Sequence, residues 1–262
     1  MIEYGDLRIW PLPEGRFTVG GDKRFVPSAD GEPKPPGTLF ISVTPFLVET
    51  PADLLLLDTG LGEYARGRDA TFLTDGLRRA GFEREAVTRV LLSHLHFDHA
   101  GGTVLDAGGS DLPTFPNAEY VVQAGELDAP YAGVSAEARD RVIHTLDTAG
   151  QLVTVEGSGW LTDEIEFEHT GGHTRDHQLF RLHTGGRTVV FGGDVVPSPG
   201  QITRSFRAKY DFEPERSQAE RKRIVGEAAE GGHLLLLYHS TEALAAFVDE
   251  ATRGFHVEPV AT

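Results

Sequence analysis

The sequence predicts an α/β protein, a four-layer αβ/βα sandwich with helices outside two mixed β-sheets, and three observations carry that expectation. Short, wholly apolar runs such as Leu54–Leu57 and residues 234–237 read as strands buried on both faces. Segments with helical spacing separate them. The chain also falls into two similar halves, each running from strands to helices.

Residues 7–10 alternate as a short strand that Pro11 and Pro13 break, and residues 17–19 pair next. Residues 27–37 hold four prolines and two glycines and read as a surface loop. Residues 39–49 and 53–58 follow as two strands about a turn at Thr50-Pro51-Ala52. A helix over 75–80 stops at Gly81, and the apolar, β-branched run 88–93 is a central strand. Residues 118–122 form a strand, 123–127 a helix start, and 135–149 a helix whose apolar stripe includes Ala138, Val142 and Leu146. Strands 151–155 and 165–169 precede a hairpin of 179–182 and 188–191 about Thr184-Gly185-Gly186. An irregular loop over 197–210, an amphipathic helix over 215–229 and a buried strand over 234–238 complete the order. The whole of 1–262 is expected to form one domain.

Composition narrows the function. The chain has 262 residues, 39% apolar and 24% charged, ordinary for a globular protein able to bury a sizeable core. Forty acidic residues against 24 basic ones give a net charge of -16, which repels a phosphate backbone, so a small-molecule substrate is expected and nucleic acid is not. With no cysteine there is no disulfide, thiolate ligand or cysteine nucleophile, so histidines and carboxylates must hold any metal. The amino terminus lacks a charged then apolar leader and no stretch reaches spanning length, which predicts a cytoplasmic protein with no membrane partner.

The chemistry concentrates in Ser93-His94-Leu95-His96-Phe97-Asp98-His99-Ala100-Gly101-Gly102, where four metal-binding side chains fall within six residues at the end of a buried strand. α/β sheets place their ligands at such ends. His94 and His96, two apart in extended chain, point to one side, and Asp98 and His99 begin the next turn, so the pairs can serve neighbouring metals. In Thr170-Gly171-Gly172-His173 the glycines allow a turn sharp enough to aim His173 inward. Asp194 and His239 end two further apolar strands. Asp58, past Leu57, is expected to support a ligand, and His177 to make a structural hydrogen bond. His144, His169, His183, His233 and His256 lack partners at ligand spacing. Phe206, Tyr210 and Phe212 are candidate walls of an apolar pocket.

The cluster at 94–99 with Gly172-His173, Gly193-Asp194 and His239 resembles the metallo-β-lactamase superfamily over nearly the whole chain. The resemblance implies a dinuclear site, with His94, His96 and His173 on one metal, Asp98, His99 and His239 on the other, and Asp194 bridging. Absence of cysteine sets the chain apart from branches with a cysteine ligand, and His96 in place of glutamate from the flavodiiron branch. Within the superfamily the segment 93–102 is similar to acyl-homoserine-lactone lactonases and methyl-parathion-hydrolase-like enzymes, as are 193–197, 210–215 and the tail 254–260. Those lactonases carry a tyrosine three residues after the bridging aspartate; here Pro197 stands there. A homodimer fits the family.

Two divalent cations sharing a water would acidify it toward neutrality and polarise a carbonyl or phosphoryl oxygen. Asp98 is the candidate catalytic residue, as ligand and proton carrier. Zinc suits the donors best, though manganese, iron and cobalt tolerate them. The expected activity is hydrolysis of a lactone or activated ester, with phosphotriesters as a side activity. A mononuclear iron dioxygenase of thiol-linked substrates and a non-catalytic metal binder are the alternatives, separable by metal count and colour.

Overall fold

The computed structural model describes residues 1–21, 24–29, 31–64, 72–251 and 254–261. Leu54–Leu57 pairs in parallel with Arg89–Leu91, which pairs with Glu119–Gln123, and that strand with Leu152–Val155. Ile2–Tyr4, Leu7–Pro11 and Phe46–Glu49 extend this sheet antiparallel to seven strands. A second seven-stranded sheet runs from Gly159–Thr162 to Gly254–Pro259, with Arg187–Phe191 and Leu234–Leu236 as its parallel pair. In the hairpin between Gln178–Thr184 and Arg187–Phe191, Gly185 and Gly186 take φ of 52° and 76°, the left-handed values a two-residue turn demands.

The sandwich follows from alternation along the apolar strands. Leu55 and Leu57 point into a core shared with Phe180, Leu182 and Phe191 of the other sheet. Leu54 and Leu56 point outward into a second core, which also takes in Leu73 and Leu77 of helix Phe72–Arg79 and Val142 and Leu146 of helix Val134–Ala149. Helix Pro214–Gly231 covers the outer face of the second sheet with Ile224, Val225 and Ala228. Each sheet is thus apolar on both faces, as the unbroken leucine runs require.

Strands Gly159–Thr162, Ala245–Ala251 and Gly254–Pro259 were not expected, and several boundaries differ. Residues 39–49 are not one strand: Leu39–Val43 belongs to a separate three-stranded sheet with Gly15–Val19 and Phe25–Pro27, and only Phe46–Glu49 joins the large sheet. Pro45 has no N–H to continue a ladder, so the chain changes sheets there. The stretch 197–210 contains a short helix, Pro199–Ile202, started by Pro199. Where a helix start over 123–127 was expected, Gln123 ends strand Glu119–Gln123 and Ala124–Asp128 forms a 3-10 turn. Among the described residues no helix is long and apolar enough to cross a membrane.

Candidate metal centre

Parallel pairing brings the distant clusters together. Leu54–Leu57 and Arg89–Leu91 run the same way, so Asp58 and Ser93-His94 leave the first sheet at one edge. Arg187–Phe191 and Leu234–Leu236 do the same in the second sheet, so Asp194 and His239 emerge together. His96 is the last extended residue before the one-turn helix Phe97–Ala100, which swings Asp98 and His99 to a second side. Gly101 and Gly102 then pass directly over residues 59–61; a Cβ on Gly102 would lie 2.1 Å from the Thr59 carbonyl oxygen. Gly172, at φ 84°, turns the chain into His173 where a Cβ would meet the Ser217 backbone nitrogen at 2.6 Å.

All seven predicted ligand positions converge. His96 Nδ1 lies 2.9 Å from His94 Nε2 and 3.1 Å from His173 Nε2. His99 Nε2 and His239 Nε2 are 3.3 Å apart, with Asp98 Oδ2 at 3.7 and 3.5 Å from them. Asp194 spans the two groups, with Oδ2 3.1 Å from His173 Nε2, and Oδ1 3.1 Å from His99 Nε2 and 3.0 Å from His239 Nε2.

The outer nitrogens decide what the inner ones can do. His99 Nδ1 donates to Asp58 Oδ2 at 2.7 Å, His173 Nδ1 to Asp211 Oδ1 at 2.9 Å, and His239 Nδ1 to the Ser42 carbonyl at 2.7 Å. The Ser93 hydroxyl gives its one proton to Asp58 Oδ2, so it accepts from His94 Nδ1, 3.0 Å away. With Nδ1 donating outward in each of these four rings, Nε2 is the nitrogen left facing inward, where it can offer a lone pair to a cation. Acceptor atoms that face one another at these distances repel unless a proton or a metal cation lies among them. Asp194 Oδ1, buried without a well-formed hydrogen bond among the described residues, is a further donor of this kind. Imidazole and carboxylate with no thiolate suit a borderline divalent cation such as zinc. The donor set therefore fits metal.

Electrostatics agrees. Burial, and then the neighbouring His99, His96 and His173, pushes His94 well below the usual histidine range and keeps it neutral. Burial pushes the Asp194 carboxyl up, but His239, His173 and His99 outweigh it and hold Asp194 ionised. His99 is raised despite burial by Asp194, Asp98 and Asp58, so the carboxylate-rich half of the site attracts positive charge.

Asp58 supports His99 as expected, from a left-handed backbone at φ 53° that is uncommon outside glycine. His177 is no ligand candidate: its Nε2 accepts the Asp194 backbone N–H at 3.2 Å and its Nδ1 meets Thr170 Oγ1 at 2.7 Å. Pro197 offers its carbonyl to the His239 backbone N–H at 2.9 Å. Asp211 and Ser42 were missed, because nothing near them in sequence marks a ligand's support. A cleft of about 860 Å³ opens on His96, Asp98, His173, Asp194 and His239. Its walls include Phe25, Phe40, Phe97, Phe206, Tyr210 and Phe255. Phe212 is not among them; it is exposed.

With this fold and this cluster in place, the chain belongs to the metallo-β-lactamase superfamily, whose model matches residues 39–247. It is similar to an N-acyl homoserine lactonase of Bacillus sp., 29% identical over 169 residues, 57% of this chain and 62% of that protein. It is also similar to an atrochrysone carboxyl ACP thioesterase of Passalora fulva, 28% identical over 228 residues, 82% of this chain and 60% of that protein. The chain thus spans about three fifths of the length of either relative. Among solved structures, the dizinc quorum-quenching lactonase AidC superposes with a TM-score of 0.80 at 21% identity, covering 100% of this chain and 97% of that one. A probable metal-dependent hydrolase from Staphylococcus aureus gives 0.81 at 22%, covering 100% and 99%.

Proposed function

We propose that the chain is a metal-dependent hydrolase of lactones or activated esters with a dinuclear centre. His94, His96 and His173 would hold one divalent cation, zinc by preference, Asp98, His99 and His239 the other, and Asp194 both. The observation that carries this reading is the Asp194 carboxylate, whose two oxygens face different imidazole groups at the floor of one cleft. When bound, the cations would supply an acidified water and polarise the substrate oxygen.

The chain's own groups do the rest. Asp98, at the cleft floor, takes the proton that water gives up on attacking the acyl carbon and returns it to the leaving oxygen. Its backbone is fixed by the Tyr238 hydroxyl, which donates to the Asp98 carbonyl at 2.7 Å. The aromatic walls favour an apolar small molecule. The acidic chain disfavours nucleic acid. The two relatives, by name a lactonase and a thioesterase, support an acyl centre over a phosphoryl one, so phosphotriester turnover is proposed only as a side activity.

The test pairs elemental analysis with a panel of acyl-homoserine lactones, γ- and δ-lactones, aryl esters, thioesters, aryl phosphotriesters, a β-lactam and an RNA. Two zinc ions per chain and turnover of a lactone or ester, lost in Asp98→Ala, are expected. One iron per chain would point to a dioxygenase, and two metals with no turnover to a binding protein. Turnover confined to the β-lactam or the RNA would sink the proposal.

A further inference from the structure

One buried carboxylate has no part in the proposed reaction. Glu126, in the 3-10 turn Ala124–Asp128, is 0% exposed. Such a group is tolerated only where donors meet its oxygens. Its Oε2 accepts the Leu95 backbone N–H at 2.9 Å and the Tyr131 hydroxyl, and its Oε1 accepts the Thr174 hydroxyl at 2.5 Å. Each donor belongs to a different piece of the site. Leu95 lies between His94 and His96, Thr174 follows His173, and the Tyr131 ring packs on His96 with centroids 4.7 Å apart. His96 and His173 are 77 residues apart in sequence, and both adjoin residues that this one side chain grips.

We propose that Glu126 is a positioning residue that locks the 94–96 turn, the 173–174 loop and Tyr131 into one body, and so sets the convergence of His94, His96 and His173. This rests on the reading that those three imidazoles hold one cation. Three hydrogen bonds from one rigid carboxylate replace a regular element that neither loop supplies. The Leu95 N–H cannot reverse its role, whereas the two hydroxyls can turn to accept. A glutamine with its oxygen toward Leu95 and Tyr131 and its amide toward Thr174 therefore keeps all three links. A leucine fills the volume and keeps none.

The experiment is a Co2+ titration of the metal-stripped full chain, followed by visible d–d absorption, with circular dichroism to check folding. Glu126→Leu is expected to weaken one of two cobalt sites about 10- to 100-fold, the size seen when a ligand's support is removed, and to leave the other unchanged. Glu126→Gln should restore wild-type affinity. Should Glu126→Leu not fold, Thr174→Val removes a single link and should weaken the same site roughly two- to tenfold. Equal cobalt affinities in wild type and the leucine or valine variants would overturn the assignment while leaving the metal centre standing. So would a glutamine variant as weak as the leucine one. A wild-type chain that takes up no cobalt would instead overturn the metal centre, and this inference with it.

Discussion

Replacing Asp58 with asparagine should switch the tautomer of His99 without disturbing the backbone. Asp58 is fully buried; Oδ1 accepts the Ser93 N–H at 2.7 Å, while Oδ2 accepts the Ser93 hydroxyl and His99 Nδ1, each at 2.7 Å. Because the Ser93 N–H cannot turn round, the asparagine oxygen must stay at the Oδ1 position and the amide NH2 must face His99. The imidazole then accepts at Nδ1 and carries its proton on Nε2, the atom that faces His239 and Asp194. To bind a cation, His99 must restore the Nδ1 proton against a facing donor, leaving buried polar groups unpaired at about 1–3 kcal/mol. At about 1.4 kcal/mol per tenfold, that is roughly 5- to 150-fold in metal affinity, in line with the ~10- to 100-fold seen when such supports are lost. Asparagine tolerates the left-handed backbone, so stability of the metal-free protein should fall little. Alanine adds an unpaired Ser93 N–H and about 1–2 kcal/mol of backbone strain, for a total near 2–5 kcal/mol. Calorimetric metal titration and thermal melting measure the two effects separately. An asparagine variant with two metals at wild-type affinity would refute the tautomer argument.

Asp194→Ala should disturb both metals, since the carboxylate faces both imidazole groups, and elemental analysis finding two metals would reverse that assignment. His177→Ala should keep two metals but lose about 1–3 kcal/mol of stability, because the Asp194 N–H loses its acceptor; fewer than two metals would make His177 more than a support. Chelation should abolish activity and lower the melting temperature, as ligands from distant parts of the chain lose the cation that binds them. An unchanged melting temperature after verified metal removal would contradict that.

The candidate ligand positions that converge in the fold were legible in the sequence because their determinants are local. His94 to His99 sit within six residues after a buried strand, Gly171-Gly172 precede His173, and Asp194 and His239 follow apolar runs. The leucine runs marked the sheets for a similar reason, since a strand covered on both faces has no polar alternation to show. Asp58 was legible as a support only because it ends such a run.

Tertiary structure alone decided which acceptor fixes each imidazole. Asp211 meets His173 from 38 residues away and the Ser42 carbonyl meets His239 from 197, and neither position carries a periodic or turn signal. The split of 39–49 between two sheets likewise depends on where Gly15–Val19 lies, not on the residues of that run alone. Glu126 looked like one acidic residue among 40 until Leu95, Tyr131 and Thr174 closed on it. Sequence patterns record the face an element must bury, because burial acts on every turn of a helix and every second residue of a strand. A single hydrogen bond between distant loops leaves no period, and only the folded chain shows it.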